Sequence, residues 1–399
     1  MTEPRTRGAG RARRLVSAIV LFSLAVILFE QVIGGRDAPP VSTTPAGTTV
    51  AATPDPTAGG VTTTPVPTSS IRELLVLPPD PIGEPGAALP EMLRWPASGS
   101  VETIRVTDLT RYVGRPRTGK PLEGITVVLD PGHGGIDSGC GWPVGFREQD
   151  VMEKDVTLSV AQETKKSLES LGARVRMIRD DDTFYSIFCR PALVAKSILE
   201  DFAGLAGAAG RSTTVIDGYL DILDPIIEAN DDMIPGRMGG SGTDIDLKHA
   251  MDIQRQYPDW LFISIHCNAA ADYPDVHGLQ VYYTTSGVIL HDERLEAPAS
   301  PSSDWRPSYQ YYDDAGRLRL ASLLYGSITK TVPALADGTP DPLVDQDFAV
   351  LREQNLASAM IELGFLTNEN DRAALSDPAM QPRLGEAIAD AVYSYYCVR

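Results

Sequence analysis

The sequence predicts an α/β fold: one domain built on a mixed, mostly parallel β-sheet flanked by helices, preceded by a membrane anchor and a disordered linker. Three observations carry that expectation. Short apolar runs rich in β-branched residues recur at Ile125 to Leu129, Leu261 to Ile265 and Ala357 to Ile361, and such runs read as buried strands. The first is followed by an amphipathic helical run and then an alternating strand, the strand–helix–strand unit of an α/β domain. Two of the runs deliver a histidine at the carboxyl end, where folds of this class hold ligands.

The chain opens with five arginines in its first fourteen residues (Arg5, Arg7, Arg11, Arg13, Arg14) against one acid, Glu3. Leu15 to Phe29 then carries no charge, and Val32 and Ile33 extend the run past Glu30 and Gln31. About twenty apolar residues span a bilayer, and a shorter run suits a signal peptide. No Ala-x-Ala site follows cleanly, so residues 15–34 are expected to be an uncleaved, single-pass signal-anchor. Cleavage would instead give a secreted protein. The arginines hold residues 1–14 in the cytoplasm and place the body on the cell-wall side of the membrane. Residues 35–121 are expected to be a linker. Positions 37–70 are rich in Pro, Thr, Ala and Gly, a composition that cannot bury a core and reads as an extended tether. Ile71 to Leu77 and Val101 to Val106 suit short strands. Pro78, Pro79, Pro81, Pro85 and Pro90 argue against an independent domain, so this part is expected to dock on the body, residues 122–399.

The formal net charge of −18 over 399 residues argues against a nucleic-acid partner, whose backbone such a body repels. Four cysteines (Cys140, Cys189, Cys267, Cys397) form no CxxC pair, which argues against a cysteine zinc knuckle. They read as four free thiols, with Cys140 and Cys189 the one candidate disulfide.

Within the body, Ile125 to Leu129 ends at Asp130 and a Gly-rich turn that presents His133. Val156, Val160, Leu168 and Leu171 share one helical face, Gly172 suits the helix stop, and Glu153 falls at its start, where a carboxylate also suits the helix dipole. Ala173 to Arg179 alternates as a half-buried strand. Leu261 to Ile265 ends in His266, and Leu279 to Thr284 is a further strand. Ala357 to Asn368 places Glu362 inside an otherwise apolar strand, and a glutamate is rarely buried unless paired or working. Met380 to Tyr396 reads as an amphipathic helix with Leu384, Ala387, Ile388, Ala391, Val392 and Tyr395 on one face.

Two histidines and one or two glutamates brought to one sheet edge match a catalytic zinc (Zn2+) site. Zinc takes imidazole nitrogen and carboxylate oxygen and keeps a position open for water. A second carboxylate then moves the proton. The count assigns His133, Glu153 and His266 as metal ligands and Glu362 as the acid/base.

The motifs Val-Val-Leu-Asp-Pro-Gly-His-Gly-Gly-Ile-Asp-Ser-Gly (127–139), Glu-Lys-Asp-Val-Thr-Leu (153–158), Phe-Ile-Ser-Ile-His-Cys-Asn-Ala (262–269) and Val-Leu-Arg-Glu-Gln-Asn-Leu-Ala-Ser-Ala-Met-Ile-Glu-Leu-Gly-Phe-Leu-Thr-Asn (350–368) together resemble the zinc-dependent N-acetylmuramoyl-L-alanine amidases of bacterial cell walls. The likeness covers roughly residues 122–399 and keeps the order of all four motifs. It implies zinc on His133, Glu153 and His266, catalysis by Glu362, and hydrolysis of the peptidoglycan amide between N-acetylmuramic acid and L-alanine. Two other readings stand beside it: a catalytically silent cell-wall-binding module on the same fold, and a zinc enzyme acting on another amide.

The sequence departs from that pattern in three places. The loop from His133 to Glu153 carries an added Gly-Cys-Gly-Trp-Pro-Val-Gly-Phe. An insertion at about 183–243 holds an apolar run (Pro191 to Phe202) and an acidic amphipathic run (Ile216 to Asp232). It is expected either to decorate the surface or to gate the groove as a lid or the docking element of a protein activator. Gly287 to Tyr312, with Trp305, Tyr309, Tyr311 and Tyr312, reads as a surface loop with aromatics suited to stacking on sugars.

Overall fold

Thr126–Pro131 forms β1, a strand with every residue buried, and the sheet is built outward from it. In the computed structural model, which describes residues 103–144, 150–232, 245–296, 312–336, 338 and 341–398, β1 pairs in parallel with β4 (Arg174–Met177) and β5 (Trp260–Asn268). The strand β8 (Ala357–Phe365) joins β5 in parallel, β6 (Gln280–Tyr283) runs antiparallel to β8, and β7 (Leu343–Asp345) closes the order β4-β1-β5-β8-β6-β7. The sheet is therefore mixed and mostly parallel. A separate two-stranded ribbon, β2 (Gly141–Trp142) with β3 (Val151–Met152), stands between β1 and the first long helix. The tail, the expected anchor at 15–34 and the linker up to residue 102 lie outside the described residues. Among the residues described, no helix is long and apolar enough to cross a membrane.

Side chains alternate across a strand, and this sorts the core into two layers. Val127, Leu129, Leu261, Ile263, Ile265, Ala359, Ile361 and Leu363 face one side. There they meet α1 (Glu153–Ser170), α6 (Asp314–Thr331) and α9 (Met380–Cys397). Val128, Trp260, Phe262 and Met360 face the other side, against α2 (Cys189–Ala208), α3 (Thr214–Ala229) and α4 (Ile245–Gln254). Short helices α5 (Ser286–Glu296), α7 (Ala349–Arg352) and α8 (Glu369–Ser376) complete the chain. The same alternation puts Asp130, Ser264, His266 and Glu362 on the α2 side, at the carboxyl ends of their strands. The helical faces expected over 153–171 and 380–396 are the buried ones.

Several expectations are met by a different structure. Residues 103–106 form no strand; they dock instead, with the Ile104 and Arg105 amides donating to Gln256 Oε1 and the Arg105 guanidinium gripping both oxygens of Asp259. Tyr112 lies in the main core with no exposure, so packing starts before residue 122. All four cysteines are free, as the sequence reads, and the one candidate pair, Cys140 with Cys189, does not form. Tyr312 is buried beneath the Arg317 guanidinium, 3.8 Å from its ring centroid, and is thereby removed from any surface role. Trp305, Tyr309 and Tyr311 lie outside the described residues.

The described part of 183–243 is a packed layer, because α2 and α3 bury Val194, Ile198, Phe202, Ile216 and Leu223 against the sheet. Arg190 of α2 reaches through that layer. Its Nη1 donates to Asp130 Oδ1 at 2.5 Å and to the Pro131 carbonyl at 3.1 Å, and its Nη2 donates to the His133 carbonyl at 2.8 Å. Burial alone would raise the Asp130 pKa, but the Arg190 charge overcomes it and holds the carboxyl below its ordinary 3.8.

Two stability measurements follow. The helices α1 and α9 cross so closely at Gly385 that an added Cβ would sit 2.6 Å from the Glu163 carbonyl carbon and the Thr164 nitrogen. Gly385→Ala should therefore destabilise by about 1–3 kcal/mol through overpacking, against the gain of about 1 kcal/mol that helix propensity alone predicts. The urea midpoint gives the sign. Arg190→Met leaves the buried Asp130 carboxylate unpaired and should cost about 3–5 kcal/mol at pH 7. Asp130 in the wild type contributes stability above its unfolded pKa and loses it only as pH falls through its lowered folded value. In the variant that pKa rises, so the stability gap should narrow from pH 7 toward pH 4; a gap independent of pH excludes the pair as its source.

Candidate active site

The strand β1 ends in Asp130-Pro131-Gly132, and the chain then turns at His133 with φ +61°, a left-handed conformation that costs a non-glycine residue about 1–3 kcal/mol. The surroundings enforce it. Arg190 holds the His133 carbonyl, and Asp137 Oδ2 takes the ring from the other end, 2.7 Å from Nδ1. Arg179 donates to the carbonyls of Pro131 and Gly132, and Thr157 Oγ1 also donates to Gly132. Gly132 itself is required by its neighbour, since a Cβ there would meet the His266 ring at 2.3–2.6 Å.

Glu153 is the first residue of α1 and has no exposure. Two backbone amides fix its carboxylate: Cys140 N–H donates to Oε2 at 2.9 Å and Cys267 N–H to Oε1 at 2.9 Å. The His266 Nδ1 lies 3.0 Å and the His133 Nε2 3.1 Å from the same Oε1. The two imidazoles stand edge to face with ring centroids 5.0 Å apart. One ligand atom from each of His133, Glu153 and His266 falls within 4.8 Å of the others, so the three residues named from the sequence converge as a set that can hold a metal ion.

The electrostatics of the cluster call for positive charge. Burial disfavours protonation of His133, yet the Glu153 carboxylate and Asp137 lift its pKa to about 10. Burial opposes ionisation of Glu153 as well, and the His133 charge, with both imidazoles closing on the carboxylate, drives its pKa well below 4.5. The donor chemistry fits a divalent cation in place of those protons. The Nδ1–H of His133 is committed to Asp137, which turns the Nε2 lone pair inward. That buried Nε2 has no hydrogen-bond partner, despite its 3.1 Å approach to Glu153. Cys140 and Cys267 are neighbours of a different kind. Burial, with Glu153 behind it, raises both thiols well above 9, so they remain neutral and the Cys140 Sγ rests 3.2 Å from the Cys267 carbonyl.

Glu362 stands beside this cluster. The parallel register of β5 on β8 pairs His266 with Glu362, and adjacent strands lie about 4.8 Å apart. The Glu362 side chain is 7% exposed. A cation site and a nearly buried carboxylate thus share one face at the end of the sheet, an arrangement that can polarise a carbonyl and carry a proton. The other histidines lie elsewhere: His249 meets Tyr219 on α3, His277 packs near Gly338, and His291 is exposed. Three supporting residues carried no clear sequence signal of their role. Asp137, four residues after His133, stood in the first motif without a role of its own, and nothing in the local sequence marked Arg179 or Arg190.

Residues 127–202 and 230–394 match the family described as N-acetylmuramoyl-L-alanine amidase. The unmatched stretch, 203–229, is the end of α2, the connection after it and all of α3. Over 81 residues the chain is 42% identical to the "Probable cell wall amidase LytH" of Staphylococcus aureus, a match covering 20% of this chain and 27% of that protein. The chain thus spans about a quarter of the length of that curated relative. Among solved structures, the N-acetylmuramoyl-L-alanine amidase AmiC2 of Nostoc punctiforme is 22% identical with a TM-score of 0.38, covering 68% of this chain and 96% of that one. An N-acetylmuramoyl-L-alanine amidase from Clostridium difficile 630 is 21% identical with a TM-score of 0.41, again covering 68% and 96%. Since the family match takes in more than half of the chain and includes His133, Glu153, His266 and Glu362, the chain belongs to the N-acetylmuramoyl-L-alanine amidase family.

Proposed function

We propose that the protein hydrolyses peptidoglycan at the amide between the lactyl group of N-acetylmuramic acid and the first L-alanine of the stem peptide, as a zinc enzyme. His133, Glu153 and His266 hold the metal, and Glu362 is the acid/base. The observation that carries this reading is the β5–β8 register, which sets Glu362 next to His266 on the face where the His133–Glu153–His266 cluster forms. When bound, zinc supplies the Lewis acidity that polarises the scissile carbonyl and acidifies water.

The chain's own residues do the rest. Glu362, nearly buried, is a carboxylate with little competing solvent, and it takes a proton from the attacking water as the new C–O bond forms. It returns that proton to the alanine nitrogen as the C–N bond breaks, leaving a lactyl carboxylate and a free peptide amine. Asp137 keeps the His133 ring in one tautomer. The backbone amides of Cys140 and Cys267 hold Glu153 without spending a charge. An extracytoplasmic position, with residues 15–34 as membrane anchor, belongs to this proposal because that is where such a substrate lies. The layer formed by α2 and α3 is the place where a protein activator would act.

Purified peptidoglycan should release intact stem peptides and lose that release in chelator, with recovery on added zinc. Glu362→Ala should lower kcat by about 10²–10⁴-fold while metal content stays equimolar; release of stem peptides undiminished by either change refutes the mechanism. Asp137→Ala should weaken metal retention by about 10–100-fold, read by competition with a chromogenic chelator, while the thermal midpoint of the metal-free protein moves little.

A further inference from the structure

The added stretch between His133 and Glu153 forms the β2–β3 ribbon, and the chemistry above uses only its Cys140 amide. Two residues beyond Cys140 stands Trp142, 36% exposed. Its position is tightly set. Trp142 pairs with Val151 across the ribbon, and its carbonyl accepts from the Asp150 amide at 2.8 Å. The Arg372 guanidinium of α8 lies over the indole, 4.3 Å from the ring centroid. Arg372 is itself held, its Nη1 donating to the Leu366 carbonyl at 2.8 Å, and Leu366 donates to the Asn268 carbonyl at the end of β5. One indole face is therefore met by a cation, while more than a third of the residue stays exposed.

The wider pattern agrees. Eight large hydrophobic side chains are exposed among the described residues. Four of them, Ile136, Trp142, Val144 and Tyr273, lie on the loops that leave the carboxyl ends of β1 and β5, the edge that carries the metal cluster. Exposed apolar side chains on the segments that follow these strand ends suit a binding surface. Indole suits one ligand class in particular. It offers a flat apolar face with two rotatable bonds to immobilise, which matches the C–H face of a pyranose ring.

We propose that Trp142, braced by Arg372, is a sugar-stacking platform of this site: it takes a hexose of the glycan chain adjoining the residue that bears the scissile amide, and so selects polymeric glycan over single muramoyl peptides. The proposal rests on the amidase reading for its substrate. Its observable is affinity, because the indole touches sugar and not the reacting atoms.

The test uses the full chain and two soluble substrates, an uncrosslinked glycan strand of several disaccharide-peptide units and a muramoyl peptide with a single sugar. Trp142→Ala should raise KM on the strand by about five- to tenfold with kcat nearly unchanged, the size expected for one stacking contact. It should leave the single-sugar substrate unaffected. Trp142→Phe should recover most of the loss, and Arg372→Ala should reproduce a part of it. An unchanged KM on the strand, or an equal loss on both substrates, overturns the platform. Binding of the strand is followed separately by the change in tryptophan fluorescence, with Trp142→Phe as the reference that lacks this indole. If the wild type binds the strand and hydrolyses neither substrate, the amidase reading fails while weaker strand binding by Trp142→Ala still supports the platform; equal strand binding by the two sinks it.

Discussion

A carboxylate with no solvent exposure must be met by positive charge, and Glu153 imposes that demand on the whole site. Two amides satisfy part of its hydrogen-bonding capacity, but amides carry no net charge. The remainder falls to the two imidazoles that converge on Oε1. Either the His133 imidazole carries a proton, in keeping with its raised pKa of about 10, or a divalent cation takes the proton's place. The second arrangement uses the inward nitrogens as lone-pair donors, and the Asp137 contact already selects the tautomer this requires. The cluster is thus an electrostatic problem with a metal-shaped solution.

The fold supplies the geometry through strand register. Parallel strands bring their carboxyl ends to one edge, and β1, β5 and β8 are such strands. Alternation then decides which side chains share a face: Asp130, His266 and Glu362 fall together because each is in phase with the others. Asp130 binds no metal in this scheme. It anchors Arg190, which in turn holds the strained His133 turn from the opposite side of its carbonyl. The α2 layer therefore contributes to the site by tension on the backbone at His133 rather than by any group presented to substrate.

The sheet and its helices were legible in the sequence because burial leaves a periodic trace. Ile125 to Leu129 and Leu261 to Ile265 are apolar on both faces, as central parallel strands must be, and Arg174 and Arg176 alternate with Val175 and Met177 as an edge strand does. His133, Glu153, His266 and Glu362 were legible because each is chemically out of place at its position. What stayed hidden was long-range and polar. Nothing local marks Arg190 as the partner of Asp130, sixty positions away, since an arginine in an amphipathic helix looks solvated until its neighbours are known. Tyr312 misled for the mirror reason: its loop composition suggests exposure, while Arg317 draws it into the core. The docking of residues 103–112 was expected only in outline: the Gln256 and Asp259 contacts that hold residues 104 and 105 leave no mark in the local sequence.

The order in which the site's residues occur along the chain has a biosynthetic consequence. His133 and Glu153 emerge early from the ribosome, His266 much later and Glu362 last of these four, on the strand that joins β5 to β6. A nascent chain that has formed β1 and α1 holds a buried acid and one imidazole but neither the second imidazole nor the proton carrier. No folding intermediate short of the β5–β8 pairing can set Glu362 beside His266, so the chemistry proposed for this site becomes possible only with the last strand of the sheet.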